Sequence, residues 1–213
     1  MQKKKFITIK ENVDDEFVEK KSTFITHLIR ISSEEEAKNF IQSMKKKHYT
    51  ATHVCSAFVV GDNNEITRAN DDGEPQGTAG APMLDVLLRQ DIKNVCAVVI
   101  RYFGGIKLGT GGLVRAYGGG VINALKKANF IERLDAYEIF LEIDYSYNPK
   151  IEYEIEKTSF LTKNKTYSDK ITYTLHILEE DYNNFLEWIT SLTSNNFKIL
   201  KKEFKQLEFD VTK

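Results

Sequence analysis

All twelve glycines of this 213-residue chain fall between Gly61 and Gly120, and residues 121–213 contain none. Glycine is the residue that tolerates a left-handed backbone and lets another group approach closely. A chain that confines it to one stretch has one place with unusual backbone, and a remainder built from ordinary helices and strands. The stretch holds two clusters. The first is Asp71-Asp72-Gly73-Glu74-Pro75-Gln76-Gly77-Thr78-Ala79-Gly80. The second runs Arg101-Tyr102-Phe103-Gly104-Gly105-Ile106-Lys107-Leu108-Gly109-Thr110-Gly111-Gly112-Leu113-Val114-Arg115, with Gly118-Gly119-Gly120 close behind. A functional site, if the chain has one, is expected here.

Beyond the glycines the periodicity is plain. Tyr137, Ile139, Leu141 and Ile143 alternate with Glu138, Phe140, Glu142 and Asp144, the pattern of a half-buried strand. Asn148-Pro149 reads as a helix start, with Ile151 and Ile155 at helical spacing. A hairpin is predicted about Ser168-Asp169, its second arm carrying Ile171, Tyr173, Leu175 and Ile177. A helix from Glu179 to about Ser191 places Phe185, Trp188, Ile189 and Leu192 on one side, and a last strand lies within Phe197–Val211. Strand, helix, strand, strand, helix, strand is the βαββαβ order of a ferredoxin-like domain.

The first half is also mixed. Strands are predicted at Phe6–Lys10, Ser22–Ile31 and Val54–Val60, and helices from Ser33 through Lys47 and over Pro82–Arg89. Val95–Ile100 is apolar on both faces, so it reads as a central buried strand. The glycine loop follows, then a helix from Thr110 to Lys127. The predicted class is α+β in two domains, 1–133 and 134–213, with the seam at Ala128–Asp135.

A buried strand, a glycine-rich loop and a helix start together suit an anion, because backbone N–H groups point outward there and the helix dipole favours negative charge. Thr110 is expected to cap the helix, and Arg101, Lys107 and Arg115 bring cations to it. The predicted ligand-binding set is Arg101, Tyr102, Gly104, Gly105, Lys107, Gly109, Thr110, Gly111, Gly112 and Arg115. The established nucleotide motifs do not fit. Gly104 and Gly109 have the P-loop separation, but Thr110 follows directly and Lys107 sits inside the loop. The dinucleotide fingerprint fails at Val114. For Gly118–Gly120, close helix packing is favoured over close approach of a ligand.

Supporting roles are expected for His53, Asp71, Asp72, Glu74, Gly77 and Thr78. The three acids are read as turn residues pairing with Arg101 or Arg115 in preference to a metal site, since no companion ligand stands at metal spacing. His53 is read first as a hydrogen-bonded strand histidine. Cys55 and Cys96 lack Cys-x-x-Cys spacing and read as buried thiols. No nucleophile signature, catalytic set, cofactor motif or metal site emerges.

Formal charge decides against a general polyanion coat: 30 basic residues face 31 acidic ones. Lys163, Lys165, Lys170, Lys198, Lys201, Lys202 and Lys205, with Tyr167 and Tyr173, could line an RNA-facing sheet. The 16 acids in residues 121–213 favour the simpler reading, that exposed strands carry lysine against edge pairing. No segment approaches the roughly 20 apolar residues of a membrane span.

The two glycine clusters, together with His53-Val-Cys-Ser-Ala57, closely resemble the signature of the IMPACT (imprinted and ancient) family, bacterial YigZ type. The resemblance covers essentially the whole chain. It implies a first domain with the ribosomal protein S5 domain 2-like fold and a ferredoxin-like second domain, two folds that also follow one another in a translocation elongation factor. Eukaryotic relatives act in translational control and carry an extra N-terminal partner-binding domain, which this chain is expected to lack. The family supplies no agreed catalytic residues. The expected function is therefore non-enzymatic: a cytoplasmic protein of translation or its regulation, meeting RNA, the ribosome or a translation factor through the cationic loop, with neither DNA nor membrane as partner and no cofactor. The alternative is an enzyme acting on a phosphorylated small molecule or nucleotide with Asp71, Asp72 and Glu74.

Overall fold

A computed structural model of the chain describes residues 6–211. They divide into two compact units, residues 6–132 with 210–211, and Arg133–Phe209. The elements of the first are β1 (Phe6–Ile9), β2 (Val13–Glu19), β3 (Ser22–Arg30), α1 (Glu34–Lys47), β4 (His53–Val60), β5 (Ile66–Asn70), α2 (Gly80–Arg89), β6 (Val95–Tyr102) and α3 (Thr110–Lys127). Then follow β7 (Phe130–Ile143), α4 (Asn148–Ile155), β8 (Leu161–Tyr167), β9 (Ile171–Leu178), α5 (Tyr182–Thr193) and β10 (Phe197–Val211).

The first unit is built on an antiparallel sheet in the order β2-β3-β6-β4-β5. Residues opposite each other in the register share a face, so side chains sort by parity. Phe24, Leu28, Cys55, Ala57, Val95, Ala97 and Val99 meet Met83 and Leu87 of α2 and Leu113, Tyr117, Val121 and Leu125 of α3. Val54, Phe58, Cys96, Val98 and Ile100 meet Ala37, Phe40, Ile41 and Met44 of α1 on the other face. That double burial is why β6 reads as apolar throughout. Helix α1 starts where predicted: Ser33 Oγ accepts from the Glu36 N–H at 3.2 Å, and Glu34–Glu36 sit in the first turn, where acids suit the dipole.

Two strands were not expected. In β2 the buried positions include an acid, Asp15, held by Lys127 of α3 at 2.5 Å, so the alternation is disguised by charge. β5 is an edge strand with no buried residue, and packing leaves no mark on its sequence. Strand β7 also begins at Phe130, ahead of the predicted start at Tyr137.

The second unit has the predicted order, with strands arranged β10-β7-β9-β8 and helices α4 and α5 in the two crossovers. Ile139, Leu141, Ile143, Ile171, Tyr173, Leu175 and Ile177 pack against Ile151 and Ile155 of α4 and Phe185 and Ile189 of α5. Tyr173 is fully buried and is therefore no stacking platform. Lys163, Lys165, Lys198, Lys201, Lys202 and Lys205 lie on β8 and β10, the strands with one neighbour each, where lysine discourages further pairing. Among the described residues no helix is long and apolar enough to cross a membrane.

Candidate functional site

The site forms where β4 begins and β6 ends. His53 and Phe24 both lie opposite Arg101 in the register, so the three share the face that carries α3. Burying an arginine there is costly unless it is paired. Its partner comes from the loop after β5: Arg101 Nη1 donates to Glu74 Oε1 at 2.7 Å, with both side chains 5% exposed or less. Tyr117 of α3 donates its hydroxyl to the same oxygen at 2.7 Å, and burial raises that phenol's pKa. The guanidinium lies between two rings, 5.4 Å from the centre of Phe24 and 5.3 Å from that of Phe103. Arg101 Nε is buried without a partner.

Two further acids hold the loop in place. Asp71 accepts from the backbone N–H groups of Gly77, Ala79 and Gly80 at 2.8, 3.0 and 2.8 Å. It thus caps α2, whose own N-cap, Ala79, has no side chain able to do so. Burial pushes its carboxyl up, but the three N–H bonds outweigh this and hold it below the usual range. Asp72 accepts from the Val54 N–H at 2.7 Å and from Lys45. Thr78 donates its hydroxyl to the Pro75 carbonyl at 2.7 Å, and Gly77 supplies the bend before it. These contacts make the acidic segment a structural clamp, and among the described residues no cluster of three or more metal-ligating side chains exists.

His53 links the clamp to the pocket. Its Nδ1 donates to the Asp72 carbonyl at 2.8 Å, and its Nε2 stands 3.8 Å from Glu74 Oε2. Behind it, Cys55 Sγ contacts the Asp71 carbonyl at 3.0 Å, and burial pushes this thiol up to about 12, which leaves it protonated and inert.

The glycine loop then crosses the end of the sheet. A Cβ on Gly104 would fall 1.9 Å from the Lys21 carbonyl oxygen, so only glycine lets the loop pass there. Phe103 N–H is held by Thr52 Oγ1 at 3.0 Å, and Gly104 N–H by Ser22 Oγ at 3.2 Å. Gly109, at φ 76°, is the N-cap of α3 and offers no side chain to its first turn. Thr110 is the first helical residue, not the cap that was expected. The first turn is therefore exposed, free of acid and without a capping side chain. Lys107 and Arg115 beside it are exposed and, among the described residues, have no ion-pair partner. An open pocket of about 420 Å³ lies between, lined by His53, Glu74, Arg101, Phe103, Lys107 and Thr110 among others.

The predicted set is thus partly brought together. Gly109, Thr110, Gly111 and Gly112 form the helix start, with Lys107 and Arg115 near it. Gly105 keeps a left-handed turn in the loop at φ 84°. Arg101 reaches the pocket, but Glu74 neutralises its charge; of the two cations near the helix start, Lys107 lines the pocket and Arg115 lies outside its lining. Tyr102 is on the wrong face: its hydroxyl meets His48 Nδ1 at the end of α1, 2.9 Å away. Gly118 and Gly120 serve packing, facing α2 and β3 respectively, while a Cβ on Gly119 would meet nothing within 4 Å. Thr52, Phe103 and Tyr117 were missed as site residues. Tyr117 stands at helical spacing with Leu113, Val121 and Leu125 and shares their core, so its spacing does not mark it out, whereas Phe103 between Tyr102 and the glycines is a large exposed apolar residue.

The family model of the Impact N-terminal domain matches residues 20–125, and a domain of unknown function, DUF1949, matches 141–196. The Bacillus subtilis IMPACT family member YvyE is 47% identical over 203 residues, 95% of this chain and 94% of that protein. The chain belongs to the IMPACT family. Another bacterial IMPACT protein, Escherichia coli YigZ, is 46% identical over 128 residues, 59% of this chain and 63% of its own. A crystal structure described as that of a hypothetical protein is 33% identical, covers 93% of this chain and 98% of its own, and superposes with a TM-score of 0.61. The candidate site lies wholly within the segment matched as the IMPACT N-terminal domain.

Proposed function

We propose that this IMPACT-family protein is a non-enzymatic component of translation or its regulation, working in the cytoplasm and holding RNA phosphate of the ribosome at the glycine loop and the start of α3. The observation that carries the reading is the first turn of α3. It is exposed, lacks a capping side chain and an acid, and stands beside two cations that have no ion-pair partner among the described residues. Backbone N–H groups in that situation want an oxyanion, and the dipole adds to the attraction. Family membership supports the translational half, since eukaryotic relatives act in translational control.

The enzyme reading needs Asp71, Asp72 and Glu74 free to hold metal or move protons. Asp71 is occupied by three N–H groups, Asp72 by Val54 and Lys45, and Glu74 by Arg101 and Tyr117. A protein translation factor is the second reading. The exposed side chains of Phe103, Ile106 and Val114 around the loop favour it, because apolar groups there suit a protein surface.

The test is cosedimentation with ribosomes across a salt series, comparing the wild type with Lys107→Glu/Arg115→Glu. Binding should fall with salt, and the slope should shrink by about one for each phosphate-contacting cation removed. Ribosome association insensitive to salt and to the double charge reversal would end the phosphate reading and select the protein partner.

A further inference from the structure

The inner wall of the pocket presents two hydrogen-bond acceptors to which the protein supplies no hydrogen. Donation from His53 Nδ1 to the Asp72 carbonyl leaves the neutral ring with its lone pair on Nε2. Across from it, Glu74 Oε1 takes both the Arg101 guanidinium and the Tyr117 hydroxyl. Glu74 Oε2 is left facing His53 Nε2 at 3.8 Å, and among the described residues no donor reaches it within hydrogen-bonding distance. The carboxylate side chain is 3% exposed. The His53 side chain is 19% exposed and both acceptors line the open pocket, so a ligand that donates to both can take the place of water there. The donor need not be a cation, since Arg101 already balances the carboxylate. A neutral amino group, with two hydrogens on one nitrogen, meets the requirement.

At the other end the same pocket has Lys107 and the start of α3, which want an anion. Phe103 lines the same pocket and is 45% exposed, offering a ring to a planar group while the Arg101 guanidinium packs on it. A volume of about 420 Å³ suits one nucleotide. We propose that the pocket takes a nucleotide whose base carries an exocyclic amino group, as cytosine, adenine and guanine do and uracil does not, with the amino group donating to His53 Nε2 and Glu74 Oε2. The proposal rests on the phosphate reading above and adds base selection to it. Uracil is the discriminating case. It replaces the amino group of cytosine with a carbonyl, and its one remaining N–H is flanked by oxygens, so it sets an acceptor against an acceptor.

The experiment compares labelled oligocytidylate and oligouridylate of equal length by fluorescence anisotropy with the full chain, and CMP and UMP separately by calorimetry. Cytidylate is expected to bind at least about tenfold tighter than uridylate, within the range of one good base-edge contact. His53→Leu should bring the ratio of the two affinities to about one. Lys107→Glu/Arg115→Glu should weaken both polymers alike. As a check that needs no substitution, the His53 Nε2 nitrogen resonance should move with CMP and stay put with UMP. Equal, salt-dependent binding of both polymers would overturn the base selection and leave the phosphate reading standing. A preference that survives in His53→Leu would overturn it as well. If CMP binds at least tenfold tighter than UMP while the polymers bind no better than their monomers, the ligand is the free nucleotide. If neither CMP nor cytidylate binds, the inference fails.

Discussion

The two units solve burial in opposite ways. In the second, among the described residues, only His176 and Thr193 are buried polar groups, and the core is a plain interlock of alternating strand residues with two helices. In the first, ten polar or charged residues are buried among those described, Glu74, Arg101 and Lys93 included, and all the glycines are found. A core of apolar side chains is specified by periodicity alone. A buried ion pair has to be met by particular partners from distant segments, and that arrangement is what places charged and polar side chains in the wall of a pocket.

Removing Glu74 is the strongest way to break this contrast. Glu74→Ala strands the Arg101 guanidinium in a buried place, and losing one partner of such a pair costs about 3–5 kcal/mol. Phe185→Ala in the second unit removes a ring packed on Phe160 and Trp188 and should cost about as much, 3–5 kcal/mol. Hydrogen exchange separates the two: the first variant should lose protection in β4, β6 and α3, the second in β9 and α5. A Glu74→Ala protein with wild-type exchange would mean that the pair does not hold the site.

A smaller effect sharpens the glycine half of the comparison. A Cβ on Gly120 would lie 2.8 Å from Thr26 Oγ1 and 3.2 Å from the Phe17 ring, so Gly120→Ala should destabilise by about 1–3 kcal/mol. Gly119→Ala meets open space within the helix and should stabilise by about 0.5–1 kcal/mol. Thermal melts of the two variants should shift in opposite directions; shifts of one sign would mean that the triplet is not read by helix–sheet packing.

The smallest effect concerns acid. The folded-state pKa of Asp71 lies below its ordinary value, near about 3.9 in an unfolded chain. Its contribution is therefore complete above that value and is lost as pH falls through the lower folded one. Asp71→Asn should cost about 1 kcal/mol at neutral pH, as for a weakened helix cap. In urea titrations its acid limb should be shallower than that of the wild type, and parallel limbs would remove the capping account.

Much of this was legible in the chain. Alternation from Tyr137 to Ile143 and from Ile171 to Ile177 gave the second unit, because each strand has one buried face. The start of α3 and its loop were marked by glycine. The parity of β6 was not legible: both its faces are buried, so nothing in Val95–Ile100 says which side Arg101 or Tyr102 will take. The chain did point to a pairing of the acids at 71, 72 and 74 with Arg101 or Arg115, and Glu74 meets Arg101; it did not single out which acid would meet which arginine, since the two segments come together across the whole of α2 and β6. Residues β2 contributes were hidden for a related reason, an acid standing where an apolar side chain was looked for.

The pairing of β3 with β6, from Thr23 opposite Tyr102 to Arg30 opposite Val95, joins strands separated by α1, β4, β5 and α2. Closing so long a loop costs chain entropy before any contact is gained, whereas the β8–β9 hairpin closes over a few residues. During synthesis, β3 and β4 must therefore wait with open edges until β6 leaves the ribosome to lie between them. The pocket, which also needs Tyr117, is among the last features of its unit to come into existence.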